Sequence, residues 1–510
     1  ASQSSFLLSF GAILSMAILL PRLQEANPFR TAFPDGGERR QNITRKARKH
    51  GGNIIKNIAC SAWDLLCGGA GVWLGTLPIT LWFFYQTVPW SLLVNLAVVP
   101  LMSALMAFGM ISCLVGLFSV SAGTFLAAPV YYLLGLFEGL CSLEQKLPCP
   151  VWIVGRPELW KIVVYYVLLM AAACSVRILR NFSGNLCVVG RIAGVPALLW
   201  LGAAALGTGL LGSNSYKELT VTCLDVGQGD GALLQIPDGI TCLIDGGSTS
   251  ESSVWEYRIS QTIKYYGIST IDYVFLSHAD SDHISGIQEY LEDYLPGFAG
   301  KNAHGITLKN LVLPPTADEE DFAELIRLAG MNGITVLRME AGAVIQNTST
   351  GAGSIISGTG KKQDVSWSLS CLAPSSDHLS GDKNEDSMVL MLQYGAFRML
   401  FTGDLENDAE RVLAASDEDL SCDIMKVGHH GSNGASSEQF LSAVNPTFGV
   451  ISCGENNSYG HPGAEAVERL QEAKVTLYTT MDCGALIIHS DGSRFSIYGY
   501  RDTSAYPEES

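Results

Sequence analysis

The sequence has 510 residues, a mean hydropathy of +0.24 and a formal net charge of −17 at pH 7. This length exceeds the usual size of a single hydrophobic core, so the sequence predicts at least two domains. Its thirteen cysteines show no CxxC or CxxH spacing, which argues against a cysteine-based zinc site, and we expect them to be small buried hydrophobic residues.

The charge is divided unevenly along the chain. Residues 1–214 contain 15 basic and 7 acidic residues, a net charge of +8, whereas residues 215–510 contain 17 and 42, a net charge of −25. Long apolar stretches without charges predict transmembrane helices. These stretches lie at 6–20, 58–86, 91–120, 124–141, 161–178 and 192–212. The sequence therefore predicts a transmembrane helical region over residues 1–212 and a soluble acidic domain over residues 213–510.

The first apolar stretch is not typical of a signal peptide. It has no basic leader, and it reaches Pro21 without a small-residue cleavage site. The sequence also lacks an initiator methionine, and we therefore expect it to begin within a longer protein.

Basic residues near the helix ends predict the orientation of the membrane region. Segment 21–57 carries nine basic and three acidic residues, and segment 177–191 carries three arginines. The positive-inside bias places both segments in the cytoplasm. The stretch 192–212 then runs outwards, so we expect a multi-pass protein of the cell (inner) membrane whose soluble domain lies on the external face.

Prolines and small residues are frequent in the apolar stretches. Pro78 and Pro100 interrupt 58–86 and 91–120, so either stretch could be a broken or re-entrant segment. Broken helices and close helix packing are typical of a path through the membrane. The alternative is a multi-span anchor with ordinary proline kinks.

From Leu219 the pattern changes to short β-type runs between turns. Helical periodicity intervenes at 284–295, 319–330, 405–415, 436–443 and 463–473. Strands clustered with short turns and followed by helices predict an αββα sandwich of two sheets flanked by helices. The Gly-, Ser- and Thr-rich stretch 341–366 is expected to be a mobile insert.

The most informative motif is the hexapeptide His278-Ala279-Asp280-Ser281-Asp282-His283. It lies between a strand-like run and an amphipathic segment, so one strand-to-helix loop carries four potential ligands. Imidazoles and carboxylates at this density are costly to bury unpaired, whereas divalent metal ions satisfy all of them.

Two later runs also end in potential ligands. One closes on Thr402-Gly403-Asp404 and the other on His429-His430-Gly431-Ser432. A Gly-Asp turn or a surface histidine pair alone usually binds no metal. In this order after the hexapeptide, however, the motifs predict one shared metal centre.

This order of motifs resembles the metallo-β-lactamase superfamily. More narrowly, segments 224–230, 243–247, 401–404 and 427–432 resemble the C-terminal domain of the ComEC-type competence proteins. Segments 5–10 and 95–100 resemble the competence transmembrane region of that family, so the resemblance covers nearly the whole chain. The family's earlier membrane segments and its OB-like domain are missing from the sequence.

The resemblance implies a role for individual residues. The implied metal ligands are His278, Asp280, Asp282, His283, Asp404 as the bridge between two ions, and His429, with its neighbour His430 as the alternative. Asp245 would orient a ligand through a hydrogen bond. The adjoining turn would be formed by Asp225, Gln228 and Asp230.

Four residues are candidates for holding phosphate or protonating the leaving group. They are His430, Lys426, Ser432 and His461. For His461, a loop-capping role is an equal alternative.

Two departures from the superfamily pattern bear on the metal. Asp280 stands where the common hexapeptide has histidine, and no additional histidine lies in a matching context between the hexapeptide and Asp404. Both departures favour oxygen ligands, which suit Mn²⁺ or Mg²⁺ better than Zn²⁺. We therefore expect one or two divalent ions, with Mn²⁺ favoured and Zn²⁺ as the alternative.

The resemblance implies a DNA-uptake channel of natural transformation. A metal-dependent nuclease (phosphodiesterase) domain would degrade the strand that is not transported, and the partners would be DNA, the lipid bilayer and other DNA-uptake proteins. The alternatives are a membrane-anchored phosphodiesterase for a cell-envelope substrate, such as a phosphorylcholine or teichoic-acid headgroup, and a transporter with an inactive hydrolase domain. The net charge of −25 opposes DNA binding, so either a local basic track or delivery by partners and the missing domain is required.

Overall fold

A computed structural model describes ten ranges of the chain: 2–21, 43–180, 211–212, 218–237, 239–293, 305–318, 320–346, 354–357, 367–377 and 379–501. The chain forms two compact units, one made mainly of residues 1–214 and the other mainly of residues 215–510. The expected domain boundary after residue 212 adjoins residues 213–217, which lie outside the described ranges, and we keep it as a proposal.

The first unit is helical. Its helices are α1 (Ser2–Ile18), α2 (Ile43–Phe84), α3 (Ser91–Gly116), α4 (Val120–Gln145) and α5 (Leu159–Arg180). Among the residues that the structure describes, three segments are long and apolar enough to cross a membrane: Cys60–Phe84 within α2, the whole of α3 and the whole of α4. The apolar parts of α1 and α5 are shorter. Stretch 192–210 lies outside the described residues.

The prolines of the membrane helices lie inside continuous helices. Pro78 is within α2, Pro100 within α3 and Pro129 within α4. A proline in a membrane helix is tolerated when neighbouring groups satisfy the freed backbone. The alternative of a broken segment at 58–86 or 91–120 is therefore not observed.

A short antiparallel sheet joins two connections of the first unit. Its strands are β1 (Gln86–Thr87), between α2 and α3, and β2 (Trp152–Ile153), between α4 and α5. The Trp90 indole also donates to the Pro148 carbonyl at 2.9 Å. These two connections therefore lie at the same end of the helices.

In its described residues, the second unit contains two eight-stranded sheets. The first sheet has the order β18-β17-β3-β4-β5-β6-β7-β8 and the second has the order β10-β9-β11-β12-β13-β14-β15-β16. The strands of the first sheet are β3 (Leu219–Cys223), β4 (Ala232–Gln235), β5 (Thr241–Ile244), β6 (Thr270–Phe275), β7 (Thr307–Leu313), β8 (Thr335–Arg338), β17 (Leu486–Ser490) and β18 (Phe495–Gly499). Those of the second sheet are β9 (Ala343–Gln346), β10 (Ser354–Ser357), β11 (Trp367–Ala373), β12 (Val389–Tyr394), β13 (Phe397–Phe401), β14 (Ile424–Lys426), β15 (Phe448–Ile451) and β16 (Thr476–Thr479).

The two sheets share one pairing pattern. In the first, strands β18 to β5 pair antiparallel and β5 to β8 pair parallel. In the second, strands β10 to β13 pair antiparallel and β13 to β16 pair parallel. Strands β5 and β13 therefore hold equivalent positions, as do β6 and β14.

Alternating side chains explain why helices cover the second sheet. On β12, Leu390 and Leu392 belong to the core cluster shared by both sheets, whereas Val389 and Met391 belong to a cluster with helical residues. Successive side chains of a strand point to opposite faces, so each sheet face has its own core. The helices of this unit are α6 (Ser260–Tyr265), α7 (Ser281–Asp293), α8 (Glu320–Met331), α9 (Asn407–Ala414), α10 (Glu438–Val444), α11 (Ala464–Glu472) and α12 (Thr480–Cys483).

The predicted fold class is confirmed: a membrane-type helical region is followed by an αββα sandwich. One expectation was wrong in part. The predicted insert 341–366 contains β9 and β10, which pair antiparallel. Their β-branched residues suit a strand, a signal that the surrounding glycines and serines obscured. Residues 347–353 and 358–366 lie outside the described ranges.

Candidate metal centre

The candidate ligands lie where parallel strands end. Asp245 follows β5 and the hexapeptide begins shortly after β6, while Asp404 follows β13 and the histidine pair follows β14. The carboxyl ends of neighbouring parallel strands meet at one edge of a sheet. The matching pattern of the two sheets thus gathers the motifs that the sequence keeps far apart.

The hexapeptide forms the turn into α7. The Asp280 carbonyl accepts the amides of His283 and Ile284 at 2.9 and 3.1 Å, and the rings of His278 and His283 lie 4.1 Å apart. Gly247 packs so closely on this loop that a Cβ there would lie 2.5 Å from the His283 nitrogen. A side chain at position 247 would therefore displace the ligand loop.

Four side chains converge at the centre, and we call them the ligand group: Asp282, His283, Asp404 and His430. Each offers one ligand atom, and these atoms all lie within 4.8 Å of one another. His283 Nε2 is 3.1 Å from Asp404 Oδ1, and His430 Nε2 is 3.2 Å from Asp282 Oδ2. His283, Asp404 and His430 are buried, whereas Asp282 is partly exposed.

Buried atoms around the ligand group fit a divalent cation. Nε2 of His278, Nε2 of His283 and Oδ1 of Asp404 are buried without a hydrogen-bond partner. Although His283 and Asp404 approach to 3.1 Å, the two atoms are not aligned as a hydrogen bond. Each unsatisfied buried group costs about 1–3 kcal/mol, and coordination to an ion would satisfy all three.

Neighbouring groups shift the pKa values of Asp404 and His283 in opposite directions. Burial raises the pKa of Asp404, but its interactions with the nearby His283 and His430 side chains lower it well below its ordinary value. Burial lowers the pKa of His283, but Asp404 and Asp245 raise it well above its ordinary value. A divalent ion would supply positive charge at the same point, and its ligands would bind it in their deprotonated form.

Neighbouring groups orient the ligand histidines. Asp245 accepts the Ser277 amide at 2.8 Å and lies 3.0 Å from His283 Nδ1, which leaves Nε2 for an ion. His430 Nδ1 bonds to the Ser452 carbonyl at 3.0 Å, which likewise leaves its Nε2 facing the group. Such contacts fix ring orientation and tautomer.

Two serines that the sequence analysis missed hold His278. Ser277 Oγ and Ser387 Oγ lie 3.0 and 3.3 Å from His278 Nδ1, and Ser387 Oγ also accepts the Asp404 amide at 3.2 Å. Ser387 belongs to the segment in which a superfamily histidine is absent. The serine at this position was the signal in the sequence that could have pointed to this contact.

The structure separates the two members of the histidine pair. His430 belongs to the ligand group, whereas His429 Nδ1 contacts Glu406 Oε1 at 2.6 Å and the side chain is 25% exposed. Both residues have left-handed backbone angles, with φ of 45° and 53°, which separates the directions of consecutive side chains. This placement favours His430 over His429 as the ligand. Glu406, two residues after Asp404, was also missed by the sequence analysis.

A second and looser set of potential ligands also lies near Asp404. His429 Nε2 and His278 Nε2 lie 3.6 and 3.9 Å from Asp404 Oδ2, and Asp280 Oδ2 lies 3.8 Å from His278 Nε2. The Asp280 side chain is 46% exposed, and its other oxygen is 3.9 Å from Lys383 Nζ. We expect a second ion to bind here less tightly than the first.

Lys426 lies in a buried ion pair and not on the open side of the site. Its Nζ is 2.7 Å from both carboxylate oxygens of Asp230. Asp230 in turn donates its amide to the Asp282 carbonyl at 2.9 Å. This geometry favours a supporting role for Lys426 over the catalytic role expected from the sequence.

The remaining predicted residues differ in their distance from the ligand group. His461 lies beside the ligand group, with its ring 6.0 Å from that of His430, and Gln228 Nε2 is 3.4 Å from His461 Nδ1. Ser432 bonds to Glu406. Asp225 instead pairs with Arg501 at 2.9 Å and has no described contact with the ligand group.

Comparison with known proteins finds similarity in both halves of the chain. Residues 1–178 match the family model "Competence protein", and residues 224–297 match the metallo-β-lactamase superfamily. ComE operon protein 3 of Bacillus subtilis (strain 168) is 25% identical over 476 residues, which cover 89% of this chain and 56% of that protein. Competence protein ComA of Neisseria gonorrhoeae is 27% identical over 274 residues, which cover 53% of this chain and 32% of that protein.

The chain therefore spans about half, or less, of the length of these relatives. Among solved structures, Zn²⁺-bound PqqB from Methylobacterium extorquens aligns with 49% of this chain and 85% of that chain, at 9% identity and a TM-score of 0.30, too low to carry an argument. The predicted resemblance to ComEC-type competence proteins is confirmed by the order of the two matched domains.

Proposed function

We propose that this chain, which joins a Competence domain to a metallo-β-lactamase domain, takes up DNA through the cell membrane and hydrolyses phosphodiester bonds of the strand that is not transported. The ligand group is the observation that carries the hydrolase part. It presents two carboxylates and two imidazoles to one point at the edge of the sandwich. The three membrane-length helices support the transport part.

The residues of the ligand group would hold a divalent ion, which supplies Lewis-acid activation of water and stabilises negative charge on a phosphate. Asp245 and the Ser452 carbonyl hold His283 and His430 by Nδ1, so that each presents Nε2. The hydrolytic site therefore needs no nucleophilic side chain.

We infer that His461 would donate a hydrogen bond to a phosphate oxygen. The Gly454 amide donates to Gln228 Oε1 at 3.2 Å, so the Gln228 Nε2 donor faces His461 Nδ1. Burial, with His430 and His429, lowers the pKa of His461, so the ring is neutral at neutral pH. With Nδ1 accepting, the proton of a neutral ring resides on Nε2.

We expect Mn²⁺ to restore more phosphodiesterase activity than Zn²⁺ to the chelated protein. The reason is ligand hardness, because the ligand group has two carboxylates and Asp280 adds a third nearby. The measurement is a titration of chelated protein with each metal. Asp280→His, which restores an imidazole, serves as the matched variant and should shift the preference towards Zn²⁺. Maximal activity with Zn²⁺ and none with Mn²⁺ would refute the prediction.

We also expect the α2–α3 and α4–α5 connections to lie on the external face. The strand pair β1–β2 puts them at one end of the helices, opposite to the cytoplasmic segments expected at 21–57 and 177–191. Cys149, an exposed cysteine in the second connection, should react with an impermeant thiol reagent in intact cells when the other cysteines are removed. Ser119→Cys, in the α3–α4 turn, is the matched control and should react only after lysis.

The reverse labelling pattern would place these connections inside. The same experiment with Ser215→Cys addresses the hydrolase domain, because the stretch 192–210 before it lies outside the described residues. Protection of that cysteine in intact cells would contradict an external nuclease.

Gene disruption with separate assays tests the proposal as a whole. Loss of both transformation and nuclease activity is expected. Normal transformation with loss of another phosphodiesterase activity would favour the membrane-anchored enzyme for a cell-envelope substrate. Loss of transformation, with no hydrolysis by the purified wild-type protein, would favour a transporter with an inactive hydrolase domain.

A further inference from the structure

The loop at residues 454–463 lies beside the ligand group and is closed by the hydrogen bonds of one side chain. Asn457 Nδ2 donates to the carbonyls of Gly454 at 2.9 Å and His461 at 2.6 Å, and Asn457 Oδ1 accepts the His461 amide at 2.9 Å. One side chain thus closes the loop on itself. These bonds give the loop a defined shape.

The loop displays a tyrosine. Tyr459 is 59% exposed, and its ring stacks on that of His461, with centroids 5.8 Å apart and planes inclined by 25°. The His461 ring lies 5.5 Å from that of His429 and 6.0 Å from that of His430. A row of aromatic rings therefore runs from the ligand group to an exposed tyrosine.

We propose that Tyr459 is a stacking platform for a nucleobase of a single-stranded nucleic acid whose phosphate lies at the ligand group. The proposal rests on the proposed hydrolase function and names its substrate class. Base–aromatic stacking is worth about 1–3 kcal/mol per base and tolerates any sequence. It also requires no basic residues, which suits a region with a net charge of −25.

The geometry favours a base over a quaternary ammonium headgroup. A cationic headgroup is held by an aromatic cage that surrounds the cation. Here His461 covers one side of Tyr459, and the stacked pair presents a flat surface. A flat surface fits a planar base.

The test measures equilibrium binding by the full chain, with and without added divalent metal, so that binding is read separately from catalysis. Fluorescence anisotropy compares an oligothymidylate with an abasic oligonucleotide of the same length and charge. Tyr459→Ala should weaken binding of the oligothymidylate about 5- to 150-fold and leave binding of the abasic strand unchanged. Tyr459→Phe should bind as the wild type does.

Tyr257→Ala provides the matched control, because Tyr257 is similarly exposed, at 65%, and has no described contact with the ligand group. Its binding should equal that of the wild type. Equal weakening of both strands by Tyr459→Ala, or no weakening of either, would overturn the proposal. So would a larger effect on binding of phosphorylcholine than on the oligothymidylate. A separate hydrolysis assay of metal-loaded wild type reports on the proposed function, so the two failures are distinguishable.

Discussion

Asp282→Ala and His283→Ala are each expected to abolish phosphodiester hydrolysis while the domain remains folded. Each removes one of the four ligand atoms that lie within 4.8 Å of one another. Neither residue belongs to the hydrophobic core clusters of the two sheets, so we expect both variants to keep the sandwich fold. The measurements are turnover of a phosphodiester, metal content and circular dichroism of the purified variants.

Asp408→Ala is a matched control for the carboxylate, because Asp408 is exposed on α9 and pairs only with Arg411 among the described residues. It should retain activity and metal. The same assay separates His430→Ala, which should lose tightly bound metal, from His429→Ala, which should keep it. Wild-type activity with stoichiometric metal in the Asp282 or His283 variant would contradict the proposal that these residues bind the metal.

Lys426→Met is expected to destabilise the hydrolase domain by about 3–5 kcal/mol, because it leaves the buried carboxylate of Asp230 without its cation. The ion pair joins the end of β14 in the second sheet to the turn before β4 in the first. Hydrogen exchange of the amides in β4 and β14 measures the loss, since these strands open only with the domain.

A surface pair gives the comparison for this variant. Lys309 pairs with Asp272 at 2.7 Å, but its side chain is 56% exposed, so Lys309→Met should cost less than about 1 kcal/mol. Removing both charges with Lys426→Met and Asp230→Asn should recover much of the lost stability, because no unpaired charge remains buried. An effect of Lys426→Met no larger than that of Lys309→Met would contradict the account.

The sequence was sufficient for the fold class and for the clustering of motifs. Each motif followed an apolar strand, and strand ends in a layered fold lie at one edge, so Asp245, the hexapeptide and Asp404 could be expected together. Positions within the hexapeptide were also informative, because Asp282 and His283 lie together in the first turn of a helix.

The other features of the site depend on contacts between residues that are distant in the sequence or on backbone angles, which a local sequence pattern does not predict. The preference for His430 over His429 rests on two left-handed backbone positions that the sequence does not reveal. The partner of Lys426 lies 196 positions earlier in the chain, so the sequence suggested a free cation where the fold forms a pair. Ser277, Ser387 and Glu406 act through hydrogen bonds that only the folded chain reveals.

The matching pairing pattern of the two sheets divides the metal centre between two halves of the domain. The half that contains β5 and β6 supplies Asp282 and His283, and the half that contains β13 and β14 supplies Asp404 and His430. Neither half alone carries all four of these candidate ligands. An ion bound by all four residues would link the two halves, so its affinity would depend on how well the halves are docked. Cleaving the chain between β8 and β9 would thus yield two fragments that capture the ion only as a reassembled pair.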